Sequence, residues 1–177
     1  FWSSSRSHSA IPPAAVLFCS RPMQPTVFAL VLLGCALLPA RTFYLDCSSG
    51  SDSATGLSPA QAWRTLTKLS STTFAAGDTI LIRRGTRCSG ALWPKGSGEE
   101  GQPIRLSAYG SGPLPIIEAG AAEAALKLSD QHHWEIENLE TAGGNPYGIL
   151  ITGTSGSLSH FRLRNLVVRD VTGVVKT

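Results

Sequence analysis

His160, Arg162, Arg164 and Asp170 fall close together near the end of the chain. An imidazole, two guanidiniums and a carboxylate could bind an acidic sugar or move a proton near neutral pH. On that ground His160, Arg164 and Asp170 are the candidate catalytic residues. The competing account is a solvated strand face whose charges pair between neighbouring segments. Lys127 could act as a base only if burial lowered its pKa, and its position between Leu126 and Leu128 turns it to solvent. Glu135 and Glu137 share one outward face that could bind Ca²⁺, but the segment aligned with them carries arginines. Asp46 and Asp52 flank a Gly/Ser loop and suit turn capping better than Ca²⁺ ligation. His132 and His133 are adjacent, so along a strand they point to opposite faces and cannot chelate together. The Cys and His spacing fits no zinc site.

The elements that would carry these groups repeat. His133-Trp-Glu-Ile-Glu-Asn-Leu-Glu140 aligns with His160-Phe-Arg-Leu-Arg-Asn-Leu-Val167, an offset of 160 − 133 = 27 residues. Repeats of this length signal solenoids. Trp134 and Ile136, like Phe161 and Leu163, alternate with charged residues, as half-buried strands do. In a parallel solenoid equivalent residues stack about 4.8 Å apart. Glu135 would then meet Arg162 and Glu137 would meet Arg164. Each exposed pair is worth about 0–1 kcal/mol, enough to favour one register. Asn138 and Asn165 coincide, and amides stacked at a bend can satisfy turn backbone groups. Leu126–Leu128 and Ile149–Ile151 repeat at 149 − 126 = 23 residues.

Phe43-Tyr44-Leu45 reads as a short strand, followed by a Gly/Ser/Asp turn region over 48–57. An amphipathic helix is then predicted, with Ser58 as N-cap, Pro59 at its first position, Gln61 completing a capping box, and Ala62, Trp63, Leu66 and Leu69 on one apolar face. Such a helix would cover the open end of a solenoid. Strands are predicted over 79–83, 103–108, 115–118, 124–128, 134–140, 148–152 and 161–168. Gly or Pro clusters separate them, without a second helical pattern. The expected fold is an all-β right-handed parallel β-helix with an N-terminal capping helix.

The 177 residues carry a formal charge of +3. Arg6 and Arg21 account for two of the basic residues, and from Arg41 onward the balance is 13 − 12 = +1. No basic run points to nucleic acid. Residues 1–22 read as an upstream or disordered segment and 23–40 as a signal peptide, with an apolar run from Val27 to Leu38 and a small residue, Ala40, behind it. That run is short for a transmembrane anchor. Leu32-Leu33-Gly34-Cys35 resembles a lipobox, so a lipoprotein anchored through Cys35 is the alternative to plain secretion or periplasmic export. Residues 41–177 form the expected β-helix domain, incomplete at its C-terminus, since Gly173-Val174-Val175 repeats Gly148-Ile149-Leu150. Cys47 and Cys88 are an even pair in an exported domain, which suggests a disulfide. Two unrelated buried thiols are the alternative.

Phe43-Tyr-Leu-Asp46, Gly50-Ser-Asp52, Gly56-Leu-Ser-Pro59, Trp63-Arg-Thr-Leu66, Ala76-Gly-Asp-Thr-Ile80, Arg84-Gly-Thr86, Pro103-Ile104 and Ala108-Tyr-Gly110 follow one another in an order that resembles the opening module of right-handed parallel β-helix proteins of the pectin-lyase-like superfamily. The resemblance spans about 43–173. It implies a polysaccharide lyase or hydrolase acting on acidic polysaccharide, with this fragment short of the full active site and Ca²⁺ as a possible cofactor, and the alternative is a non-catalytic surface or glycan-binding β-helix. The expected partner is a polysaccharide or cell-surface glycan. No catalytic motif of the superfamily matches position by position.

Overall fold

A computed structural model describes residues 39–154, 156 and 158–173. The expected upstream segment and all but the last two residues of the expected signal peptide, including Cys35, lie outside the described residues, as do Val174 and Val175. The strands are β1 (Thr42–Leu45), β2 (Thr79–Arg83), β3 (Arg87–Ser89), β4 (Ile104–Tyr109), β5 (Ile116–Glu118), β6 (Ala124–Ser129), β7 (Trp134–Ala142), β8 (Tyr147–Thr152) and β9 (Phe161–Arg169). Every strand pairing is parallel. The result is an all-β parallel solenoid of about three turns.

Long strands are shared between two faces. The first half of β7 pairs with β4, Trp134 opposite Ile104, and its second half pairs with β5, Thr141 opposite Ile117. The bend falls at Asn138, where φ is 59°. A third face is formed by β6 and β8, joined on its other side by a bridge from Leu92 to Leu126. Each face sends alternate side chains inward. One inward column runs Phe43, Ile80, Leu106, Ile136 and Leu163 through four successive coils' pairings. The first four of these are buried and Leu163 is exposed on the outermost strand.

The expected register is the one that forms. Trp134 pairs with Phe161, Glu135 with Arg162 and Glu137 with Arg164, while Leu126 pairs with Ile149. The two offsets differ because coil length is set at the turns. Ser129 to Trp134 spans 134 − 129 = 5 positions, whereas Thr152 to Phe161 spans 161 − 152 = 9. Those four extra positions convert the offset of 23 into 27.

The single helix expected from Ser58 does not form. Pro59–Gln61 make one 3-10 turn, and the Ser58 side chain makes no cap hydrogen bond. Ala62 is extended, and Trp63 bridges to Leu45: its N–H donates to the Tyr44 carbonyl at 2.9 Å, and its carbonyl accepts from the Asp46 N–H at 2.8 Å. Pairing with β1 satisfies the Trp63 backbone outside any helix, which interrupts the pattern. A short helix, α1 (Leu66–Ser71), starts only afterwards, capped by the Thr65 hydroxyl on the Lys68 N–H. The apolar residues read as one helix face still enter the core. Trp63 stacks on Phe43, which meets Phe74 edge-on. Gly56 (φ 75°) is needed here, because a Cβ would come within 2.4 Å of the Trp63 ring. Strand β3 was not foreseen from the sequence, its three residues being too short to show alternation.

Cys47 and Cys88 are disulfide-bonded, with Cα atoms 5.3 Å apart, so two unrelated thiols are excluded. The bond ties the segment after β1 to β3. Beside it, Asp46 accepts from the Ser48 and Ser49 N–H groups and the Ser49 hydroxyl, and pairs with Arg83 at 2.6 Å. Burial pushes the Asp46 carboxyl up, but these donors more than offset it and hold its pKa at about 2, against an ordinary 3.8. Asp52 caps the α1 start through the Arg64 and Thr65 N–H groups. Both aspartates thus act as turn caps.

Two measurements check this region. Replacing both Cys47 and Cys88 by Ala should lower the unfolding free energy by about 3–4 kcal/mol in the chain-entropy picture, read from denaturant melts. For Asp46 the folded pKa lies below the unfolded one, so its stabilisation is complete above about pH 4 and is lost as pH falls toward about 2. Asp46→Ala should cost roughly 1–3 kcal/mol at neutral pH, because several charge-assisted hydrogen bonds are lost together, and should flatten the stability profile in that acid window.

Candidate functional site

The solenoid stacks corners as well as strands. Residues with φ in the left-handed region occur at His133, Asn138 and Gly143 in one coil and at His160, Asn165 and Asp170 in the next. The offsets are 160 − 133, 165 − 138 and 170 − 143, each 27. His, Asn and Asp are among the few side chains that tolerate this backbone. At the middle corner Asn165 Nδ2 donates to Asn138 Oδ1 at 2.6 Å, and Asn138 Nδ2 donates to the Ser107 hydroxyl at 3.1 Å. At the first corner the His133 and His160 rings stack face to face, 4.2 Å between centroids and 8° from parallel.

A cleft of about 540 Å³ opens at this first corner. Its strand wall is the outward column of Arg105, Glu135 and Arg162 from β4, β7 and β9. Glu135 pairs with both guanidiniums, at 3.0 and 3.2 Å. The opposite rim is a tight turn of Glu99, Glu100 and Gly101, closed by reciprocal bonds between the Glu99 and Gln102 backbones. Gly98 seats the turn by donating its N–H to the His132 carbonyl at 3.0 Å. A Cβ on Gly98 would lie 2.5 Å from the His133 carbonyl oxygen, so only glycine allows this approach. Among the described residues Glu99 and Glu100 are in no ion pair. The cleft therefore gathers two unpaired carboxylates, an imidazole stack and two half-exposed guanidiniums.

His133 departs from the expected alternation. Its left-handed backbone brings its ring within 5.5 Å of that of His132, edge to face, rather than onto the opposite side. Both ring nitrogens of His133 are buried without a hydrogen-bond partner among the described residues. Lost hydration, then the neighbouring His160 and His132, push its pKa below 6.5, with Glu100 and Glu99 acting in the other direction.

The three candidate catalytic residues do not meet. His160 lines the cleft. Arg164 pairs with Glu137 at 3.1 Å further along the strand. Asp170 lies beyond the Asn165 corner on another face, where it pairs with Arg169, which also holds Glu140. The face of β9 is thus the cross-coil ion-pair ladder that was the competing account. Lys127 points outward as the alternation requires, yet it lies over the Trp93 ring and pairs with Glu123. A Ca²⁺ site does not fit these residues: Glu135 and Glu137 are taken up by arginines, and among the described residues no group of three His, Cys, Asp or Glu could hold a metal ion. Glu99, Glu100 and Arg105 escaped sequence reading. The Gly-Glu-Glu-Gly run was a visible signal for an acidic turn, but nothing in it showed which corner the turn would face.

No family model matches this chain, and no curated protein matches it. Solved structures do. A GH136 lacto-N-biosidase from Eubacterium ramulus aligns in its selenomethionine and native forms with TM-scores of 0.66 and 0.63. The identity is 23%, and each match covers 74% of this chain and 27% of that one. The likeness establishes the fold, a parallel β-helix of the kind found in a carbohydrate-active protein. This chain spans about a quarter of that protein's length. Among the described residues, no helix is long and apolar enough to cross a membrane.

The histidine stack carries a pH signature. The folded pKa of His133 lies below the unfolded one, so the unfolded chain takes up the proton first. Stability should fall as pH drops through about 6.5, and His133→Asn, which suits the left-handed corner, should remove most of that slope. Urea melts at pH 7.5 and 5.5 check both statements.

Proposed function

We propose that this chain is part of an exported carbohydrate-active β-helix protein that cleaves acidic polysaccharide by hydrolysis, using the cleft at the His133–His160 corner. The observation that carries this is the pair of glutamates, Glu99 and Glu100, in no ion pair among the described residues, that line one cleft with Arg105, Arg162 and the two imidazoles. Glycoside hydrolysis needs one carboxyl to protonate the leaving oxygen and a second to activate water or attack the anomeric carbon. Arg105 and Arg162 would hold an acid group of the substrate. The solved neighbour, named as a lacto-N-biosidase, supports hydrolysis over the eliminating chemistry of lyases. The ordered opening motifs that resemble pectin-lyase-like proteins support an acidic polymer. The Cys47–Cys88 disulfide and the apolar run before Pro39 support export.

A second reading, a non-catalytic glycan-binding β-helix, is favoured by one observation. The outward glutamates of the strand faces, Glu118, Glu135, Glu137 and Glu140, are all neutralised by arginines. On that reading the cleft binds sugar without breaking it.

Incubation of the full-length protein with pectate, alginate and glycosaminoglycans separates the readings. New reducing ends without unsaturated products are expected from at least one polymer, and Glu99→Gln or Glu100→Gln should lower the rate by about 10²-fold or more. Binding without new ends would leave the non-catalytic reading, and unsaturated ends would overturn hydrolysis in favour of elimination.

A further inference from the structure

Trp93 sits away from the cleft, on the face formed by β6 and β8. It is 48% exposed, whereas Trp63 and Trp134 are buried in the core. Its ring is held in place: the Lys127 ammonium lies 4.3 Å from the ring centroid, and Glu123 holds that ammonium at 2.7 Å. The Trp93 backbone N–H donates to the Ser70 hydroxyl at 2.9 Å, which fixes the chain beneath the ring. A half-exposed indole backed by a fixed cation loses little freedom when something stacks on it.

Beside the ring opens a pocket of about 390 Å³, lined by Ser70, Trp93, Pro94, Lys95, Ser129 and Gln131. That volume is within the range of small-ligand sites, about 300–1,000 Å³. Gln131 is 9% exposed. Its Nε2 donates to the Pro94 carbonyl at 2.7 Å, which fixes the amide, and its Oε1 has no partner among the described residues. A buried acceptor without a donor is a defect unless something entering the site supplies one. Lys95 is the one charged side chain in the lining, and among the described residues it is in no ion pair. The pocket thus offers an apolar ring face, hydroxyls and one positive charge, with the Gln131 acceptor buried behind its wall. It shares no lining residue with the cleft.

We propose that this pocket binds one acidic pyranose residue of a glycan chain. The sugar's apolar face lies on Trp93 and its acid group meets Lys95. The assignment rests on the carbohydrate reading above but not on the cleft or on any bond cleavage. It makes the protein a two-site glycan binder, with a grip on the chain separate from the cleft.

Calorimetric titration of the full-length protein tests it, using hexasaccharides of galacturonate and of guluronate and a heparin hexasaccharide, with cellohexaose as the neutral counterpart. At least one acidic hexamer should bind about tenfold or more tighter than cellohexaose. Trp93→Ala should weaken that binding by about tenfold, and Lys95→Ala should abolish the preference for the acidic sugar. The proposal is overturned if no acidic hexamer binds, or if Trp93→Ala binds as tightly as the parent. Cleavage with unchanged affinity in Trp93→Ala would remove this subsite and leave the hydrolase reading standing. Trp93-dependent binding without cleavage would do the reverse.

Discussion

The parallel backbone ladder between successive coils is the constraint from which the rest of this structure follows. Once Trp134 pairs with Phe161, every other residue of the two strands has its neighbour assigned. Inward positions become apolar columns and outward positions become charge columns. Neither kind of column would hold against a slip of one residue, because side chains alternate between faces and a slip would exchange core for surface. The ladder supplies the hydrogen bonds, and the columns decide which ladder forms.

A ladder alone would give a flat sheet. Closure into a solenoid comes from corners, and here the corners recur with the strands. His133, Asn138 and Gly143 turn one coil, and His160, Asn165 and Asp170 turn the next. The middle corner is satisfied internally by an amide ladder that reaches Ser107. The first corner is not, since among the described residues both His133 ring nitrogens lack partners, and this is where the cleft opens. The least satisfied corner of the described coils is therefore also the one with a concave, charged surface. Functional surfaces commonly accept such local cost where the surrounding fold over-determines the backbone.

The outer surface divides the same way. Along the first face, arginine and glutamate alternate from coil to coil, through Arg105, Glu135 and Arg162, and each ion is matched by the one above or below it. Such matching gives register and solubility, and it takes the paired glutamate out of acid–base chemistry while leaving the arginines half-exposed. Groups with chemical potential are found where matching stops: at the Glu99–Glu100 turn, which projects from the ladder, and at Trp93, where a lysine covers an indole and a buried amide lacks a donor. The solved β-helix neighbour, a glycoside hydrolase, shows that this architecture can hold a sugar-cleaving site. The described coils contain one charged cleft and one pocket beside an exposed indole.

What could be read from the sequence was whatever repeats at a fixed interval. The 27-residue repeat determined the pairing of β7 with β9, both Glu–Arg contacts and the asparagine ladder, and the parity and position of Cys47 and Cys88 pointed to their bond. These features are local comparisons between copies, so no knowledge of the path between them is needed. The tertiary structure decided the rest. Arg105 meets Glu135 across an offset of 135 − 105 = 30, not 27, because turn length differs from coil to coil. The expected helix was broken at Trp63 because pairing with β1 competes for the same backbone groups. The 98–101 turn, the histidine stack and the Trp93 pocket each bring together residues from different coils through turns of unequal length. Turn length carries no periodic signal, and so the sequence determined the columns while only the folded chain decided what faces what at the corners.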